Sequence, residues 1–153
     1  MKWTKANLET FIETKEYIDT LLIPLVKLDL TNDQQMKASA LEREYIEVLS
    51  YELERRLAGR LMLLPTYSYV NHSSYTDEMK RLNEWITSFY EQSFDKAFII
   101  SLDSEWNKYS DELNGQFLWL SHVPFDHIHD DSAKSFIKTQ ADKLSEMIQT
   151  FWS

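Results

Sequence analysis

Cysteine is absent from the 153-residue chain. Disulfides, thiolate metal sites and a cysteine nucleophile are thereby excluded, and the composition suits a reducing compartment. Glycine is nearly absent, with only Gly59 and Gly115 present. A P-loop or a dinucleotide fingerprint needs several clustered glycines, because backbone must approach phosphate with no Cβ in the way. A Gly-x-Ser-x-Gly nucleophile elbow fails for the same reason. No apolar run reaches the length of a membrane span, so no membrane insertion is expected. Met1-Lys2-Trp3-Thr4-Lys5 leads into a polar amphipathic stretch rather than the apolar core of a signal peptide. Cations are scarce as well: 16 Lys and Arg against 25 Asp and Glu give a formal charge of −9. That balance disfavours nucleic acid and anionic membrane surfaces, both of which attract Lys and Arg. The expectation is a soluble, cytoplasmic protein.

What is present reads as one α/β domain over residues 1–153. Leu8, Phe11 and Ile12 share a face of a short helix over about 4–15. Residues 20–28 form a nearly continuous apolar run, as expected of a strand covered on both faces in a parallel sheet. Pro24 inside that run cannot donate to a ladder, which suggests an edge position or a bulge. The clearest helix covers about 35–58, with Ala38, Leu41, Tyr45, Val48, Leu49, Leu53 and Leu57 recurring at threes and fours. Gly59 stands where a left-handed residue would end it. Further strands are expected at 60–64, 97–102 and 116–121. A helix capped by Ser74 or Thr76, a short polar helix over 104–113 and a last helix over 131–151 separate and follow them. Alternating strands and helices imply a small, open, mainly parallel four-stranded sheet sandwiched by helices, a Rossmann-like arrangement.

Ligands of such sheets bind outside the carboxyl ends of the strands. The residues after each strand therefore define the candidate rim: Lys27 and Asp29; Tyr67, Tyr69, Asn71 and His72; Asp103, Glu105 and Trp106; His122, Asp126, His127 and His129. Imidazole and carboxylate suit a divalent metal such as Zn²⁺, Mn²⁺ or Fe²⁺, or general acid–base work. The ends of strands are also the starts of helices, where acids are favoured by unpaired amides and the helix dipole. Asp33, Asp77, Glu78, Glu105, Asp130 and Asp131 are all accounted for in that way, and this structural reading is the leading one. Acids at the helix starts would also repel a phosphate, so a cation or a basic partner suits the rim better.

Phe89, Phe98, Phe117, Phe136 and Phe151 fall on apolar stripes and are read as core. Tyr67, Tyr69 and Trp106 fall between the expected elements, where aromatics suit either an interface or partial burial. The charged face formed by Glu42, Arg43, Glu44, Glu52, Glu54, Arg55 and Arg56 is read as solvated.

The segment Tyr17-Ile18-Asp19-Thr20-Leu21-Leu22-Ile23-Pro24-Leu25, the Leu41-Glu42-Arg43 helix and Leu63-Leu64-Pro65-Thr66-Tyr67-Ser68-Tyr69 resemble the YpiF-like family. That family comprises uncharacterised small proteins of Bacillus-type bacteria, and the likeness spans nearly the whole chain. More remotely, residues 19–103 resemble the first half of creatininase-type amidohydrolases, metal-dependent α/β enzymes. Their Glu-x-His-Gly motif after the first strand is replaced here by Lys27-Leu28-Asp29-Leu30-Thr31. Their glycine-rich loop after the third strand is replaced by Ser101-Leu102-Asp103-Ser104-Glu105. Asp29 and His72 are the nearest substitutes for the family's ligands. This likeness implies a creatininase-like half-fold without the metal motifs.

Three functions follow as expectations. The leading one is a non-catalytic module with no cofactor, acting through contacts with a protein partner or a second copy of itself. The second is a metal-dependent hydrolase, with His72, Asp103, Asp126 and His127 as ligands and Glu105 as base. The third is a small-ligand binding protein walled by Tyr67 and Tyr69.

Overall fold

The computed structural model describes residues 1–152. Among the described residues, four α-helices, α1 (Lys5–Glu13), α2 (Asp33–Arg56), α3 (Tyr75–Tyr90) and α4 (Asp131–Thr150), surround five strands. The strands are β1 (Thr20–Leu28), β2 (Leu61–Leu63), β3 (Tyr67–Val70), β4 (Lys96–Ser101) and β5 (Gln116–Trp119). A 3₁₀ segment, Ser104–Glu112, joins β4 to β5.

Every strand pairing is parallel. The order is β2-β1-β4-β5, with β3 also on β1. β2 pairs with Thr20–Leu22 and β3 with Leu25–Leu28, so both flank β1 on one side, separated by Pro65 and Thr66. The sheet thus has four lanes but five strands, one more than the sequence suggests. A strand resumes after Pro65 because β1 is long enough to template two short partners in succession.

Of the two settings expected for Pro24, the edge position is not found, while the facing lane is irregular, with four residue steps from Leu63 to Tyr67 against three from Leu22 to Leu25. Pro24 lies in a central strand, opposite Ile100 of β4. Leu22 and Leu28 accept backbone bonds from Leu64 and Asn71, so alternate residues of β1 turn their polar groups toward the β2/β3 lane. Pro24 shares that phase, and its missing N–H faces the break at Pro65 and Thr66. A missing donor costs little where there is no acceptor in register.

Alternation along β1 feeds two cores. Leu22 and Val26 join Tyr45, Leu49 and Leu53 of α2 and Ala141, Leu144 and Ile148 of α4. Leu21, Ile23 and Leu25 join Phe11, Leu82, Ile86 and Trp106 on the other face. Both faces of β1 are therefore dry, which accounts for its unbroken apolar sequence. α2 begins at Asn32, whose side chain accepts from the Gln35 amide at 2.8 Å, and ends with Arg55 and Arg56 against the negative end of the dipole. Gly59 takes a φ of +93° just beyond, as a left-handed turn requires.

Candidate functional site

The lane order reverses between β1, which leads outward to β2, and β4, which leads the other way to β5. In an open α/β sheet the crevice at that reversal, outside the strand carboxyl ends, is where a ligand sits. β1 delivers Lys27 and Asp29 there, and β4 delivers Ser101 and Asp103.

Asp103 caps the 3₁₀ segment, accepting the Glu105 amide on Oδ1 at 3.1 Å. Its Oδ2 accepts two phenol hydroxyls, from Tyr69 at 2.7 Å and Tyr75 at 2.5 Å. The Tyr69 hydroxyl in turn accepts the indole N–H of Trp106 at 2.7 Å. Burial, then the neighbouring carboxylate, pushes both phenols far above their ordinary range. They remain proton donors to Asp103 at any physiological pH. Rings of Tyr69, Tyr75 and Tyr109 stand edge-on around Trp106, with centroids 5.4 to 6.2 Å away. Edge-on ring pairs add about 0.5–1.5 kcal/mol each to the burial itself.

Of the two settings expected for these aromatics, an interface or partial burial, the geometry favours burial and carries it further. Tyr67 and Tyr69 lie on β3 rather than in a loop, and both are buried. Trp106 is wholly enclosed. None of the three presents a surface to a partner. Their polar tips are satisfied internally, that of Tyr67 by Glu78 at 2.6 Å.

The remaining rim residues do not assemble into one centre. Asp29 closes a local turn, accepting the Thr31 hydroxyl at 2.6 Å and the Thr31 amide at 3.1 Å. These bonds hold its carboxyl below the usual range. Glu105 is exposed and pairs with Lys108. His72 stands exposed in the β3–α3 turn, while Asp126 and His127 are exposed on the connection from β5 to α4. Among the described residues, no three His, Asp or Glu side chains gather as a group able to hold a metal ion.

One residue at this edge departs from the expected pattern. Glu42 was expected on the solvated face of α2 but is half-buried. Burial raises its carboxyl pKa. Lys27 and His122 oppose the rise, while Asp103 and Asp29 add to it. Glu42 thus feels the charges of four ionisable groups from three other segments across the β1–β4 edge. The sequence does contain a signal for Glu42, which lies three residues before Tyr45 and seven before Leu49, both on the buried stripe of α2.

A family model described as "Protein of unknown function (DUF2487)" matches residues 9–152. The chain belongs to this family. It is also similar to the "Uncharacterized protein YpiF" of Bacillus subtilis (strain 168), 29% identical over 154 residues. That alignment takes in the whole of this chain and 99% of the relative. Membership in DUF2487 therefore accords with the YpiF-like resemblance of the β1, α2 and β2–β3 segments. No solved structure matches the chain. No helix among the described residues is long and apolar enough to cross a membrane.

Proposed function

We propose that the chain is a non-catalytic cytoplasmic module that acts through protein contacts at its strand-end rim. The observation that carries this reading is the engagement of Asp103. Its carboxylate stands at the position where an α/β fold places a working acid, yet it accepts two phenols and a backbone amide. A carboxylate so occupied is a poor metal ligand, because coordination would first break those bonds. The turn after β1 and the first part of α2 carry exposed apolar side chains: Leu28 is 40%, Leu30 54% and Met36 47% exposed. Apolar side chains grouped near one turn suit a protein contact better than solvent.

Two measurements test the proposal. A photo-crosslinking amino acid at position 30, in cells that naturally make the protein, is expected to give discrete adducts, while the same group at Lys80 on the exposed face of α3 gives none. Equal yields at both positions would overturn the contact reading. Thermal melts with Zn²⁺ or Mn²⁺ test the competing metal centre of His72, Asp103, Asp126 and His127. A resident site would add roughly 4 kcal/mol at a thousandfold excess over its dissociation constant. A shift of that size, abolished in Asp103→Asn, would replace the module with a metalloenzyme.

A further inference from the structure

A second surface, lined by no member of the Asp103 network, carries a charge opposite to that of the protein. A groove of about 660 Å³ lies between α2 and the beginning of α4. Its apolar lining comes from Val48, Ile128 and Ile137. Its cations are Arg43, Arg55, Arg56, Lys134 and Lys138, accompanied by three carboxylates. The rest of the chain has eleven cations against twenty-two acids, since the totals are 16 and 25. The groove is a basic island on an acidic protein.

Its charges are unevenly answered. Arg43 pairs with Glu47, Arg55 with Glu52, and Arg56 with Glu52 and Asp142. Lys134 and Lys138 are exposed and have no ion-pair partner among the described residues. They stand at i and i+4 on α4, so they emerge side by side, about 6 Å apart at Cβ. Ile137 lies between them in sequence and lines the same groove. Along α2 the lining extends from Arg43 to Arg56, about 20 Å of helix.

We propose that this groove receives an acidic amphipathic helix of a partner protein. Such a helix would set apolar side chains at i, i+3 and i+4 over Val48, Ile128 and Ile137. Its carboxylates, spaced at i and i+4, would match the spacing of Lys134 and Lys138. A small anion would engage the lysine pair and leave the apolar lining bare. Nucleic acid phosphates, like a small anion, would engage the lysine pair and leave the apolar lining uncovered. The inference rests on the reading of the protein as a contact module and adds the chemistry of one partner.

The probe is a fluorescein-labelled helical peptide of about four turns, with Leu at helical spacing flanked by Glu. A peptide with Lys in place of each Glu is its control. With the full chain, saturable anisotropy is expected for the acidic peptide alone, weakening as salt rises. The double variant K134E/K138E, confirmed as folded by circular dichroism, is expected to bind on the order of tenfold more weakly. Absent saturation, equal binding of the two peptides, or unchanged affinity in K134E/K138E would overturn the proposal. Sedimentation showing a wild-type dimer that K134E/K138E dissociates would also overturn it, because a second copy then fills the groove. A silent groove alongside adducts at position 30 would remove this inference and leave the contact module standing. Peptide binding without those adducts would support the groove and remove the rim.

Discussion

Trp106 donates its indole N–H to the Tyr69 hydroxyl, 2.7 Å away, and Tyr69 in turn donates its own O–H hydrogen bond to Asp103, just beyond β4. One phenol oxygen thus links the 3₁₀ segment, the edge strand β3 and the carboxyl end of the sheet. Tyr69→Phe keeps the ring but deprives a buried donor and a carboxylate of their shared partner. An unsatisfied buried polar group costs about 1–3 kcal/mol. Urea unfolding is expected to show a loss in that range, whereas Tyr75→Phe, which leaves Tyr69 on Asp103 and Trp106 satisfied, should cost less. Equal losses for the two variants would contradict a central role for Tyr69.

The sequence displays those parts of the fold that depend on near neighbours. β1 shows itself because both its faces are dry. α2 shows itself through the Tyr45, Leu49 and Leu53 stripe, and the Ser74 cap through a side chain three residues from its amide. The Tyr69–Asp103 bond spans 34 residues and depends on β1 pairing with β3 on one side and with β4 on the other. No local pattern encodes that. Trp106 sits in a polar segment whose 3₁₀ winding brings one side chain inward, so a helical reading of the surrounding residues misplaces it. β3 follows a proline and is only four residues long, too short for alternation to distinguish it from a loop.

Tyr45 makes the opposite prediction from Tyr69. Its ring is fully buried between Phe125 and Phe136 of the α2–α4 core. Its hydroxyl has no hydrogen-bond partner among the described residues. Removing an unpaired buried polar atom while keeping the ring should stabilise the fold. Tyr45→Phe is expected to raise unfolding stability by about 1 kcal/mol. A loss of stability would reveal a bound water at that hydroxyl.

The two glycines separate two reasons for needing glycine. A Cβ on Gly59 would meet nothing within 4 Å, so Gly59→Ala is opposed only by the positive φ, worth about 1–2 kcal/mol. A Cβ on Gly115 would come within 2.8 Å of the Ala97 carbonyl oxygen. That contact forces the turn before β5 away from β4, and overpacking of this kind costs about 1–3 kcal/mol. Asparagine tolerates the left-handed region better than alanine. Gly59→Asn should therefore recover part of the lost stability in thermal melts, whereas Gly115→Asn should recover none.

Asp19 ties β1 to the turn before β2 and should govern part of the acid limb of stability. Burial pushes its carboxyl up. Hydrogen bonds from Arg60 and Thr20, with the charges of Arg60 and Lys96, outweigh that effect and hold it below the ordinary value. A carboxyl depressed in the folded state stabilises the fold above its unfolded pKa of about 3.9, and that stability is lost as pH falls through the folded value. Asp19→Asn is expected to be less stable than the parent at neutral pH. The gap should close below about pH 4, as followed by urea midpoints across pH.

Glu42 works in the other direction, so a second set of the same measurements distinguishes the two carboxylates. Burial raises its pKa in the folded state, and the nearby charges of Asp103 and Asp29 add to the effect against Lys27 and His122. The folded chain therefore holds the Glu42 proton more tightly than the unfolded chain does. As pH climbs from the unfolded pKa of about 4.3 through the higher folded value, the ionised carboxylate progressively penalises the fold. Glu42→Gln keeps the shape and removes the charge, so it should be the more stable protein at neutral pH. Its advantage should shrink as acid protonates the parent's Glu42 in both states. An Asp19→Asn/Glu42→Gln double variant should show nearly additive changes at pH 7, because the two carboxylates share no hydrogen-bond partner or named charge. A Glu42→Gln protein less stable than its parent at neutral pH would instead mean that the carboxylate forms a net-favourable pair with Lys27, with the β1–β4 edge held together by that attraction.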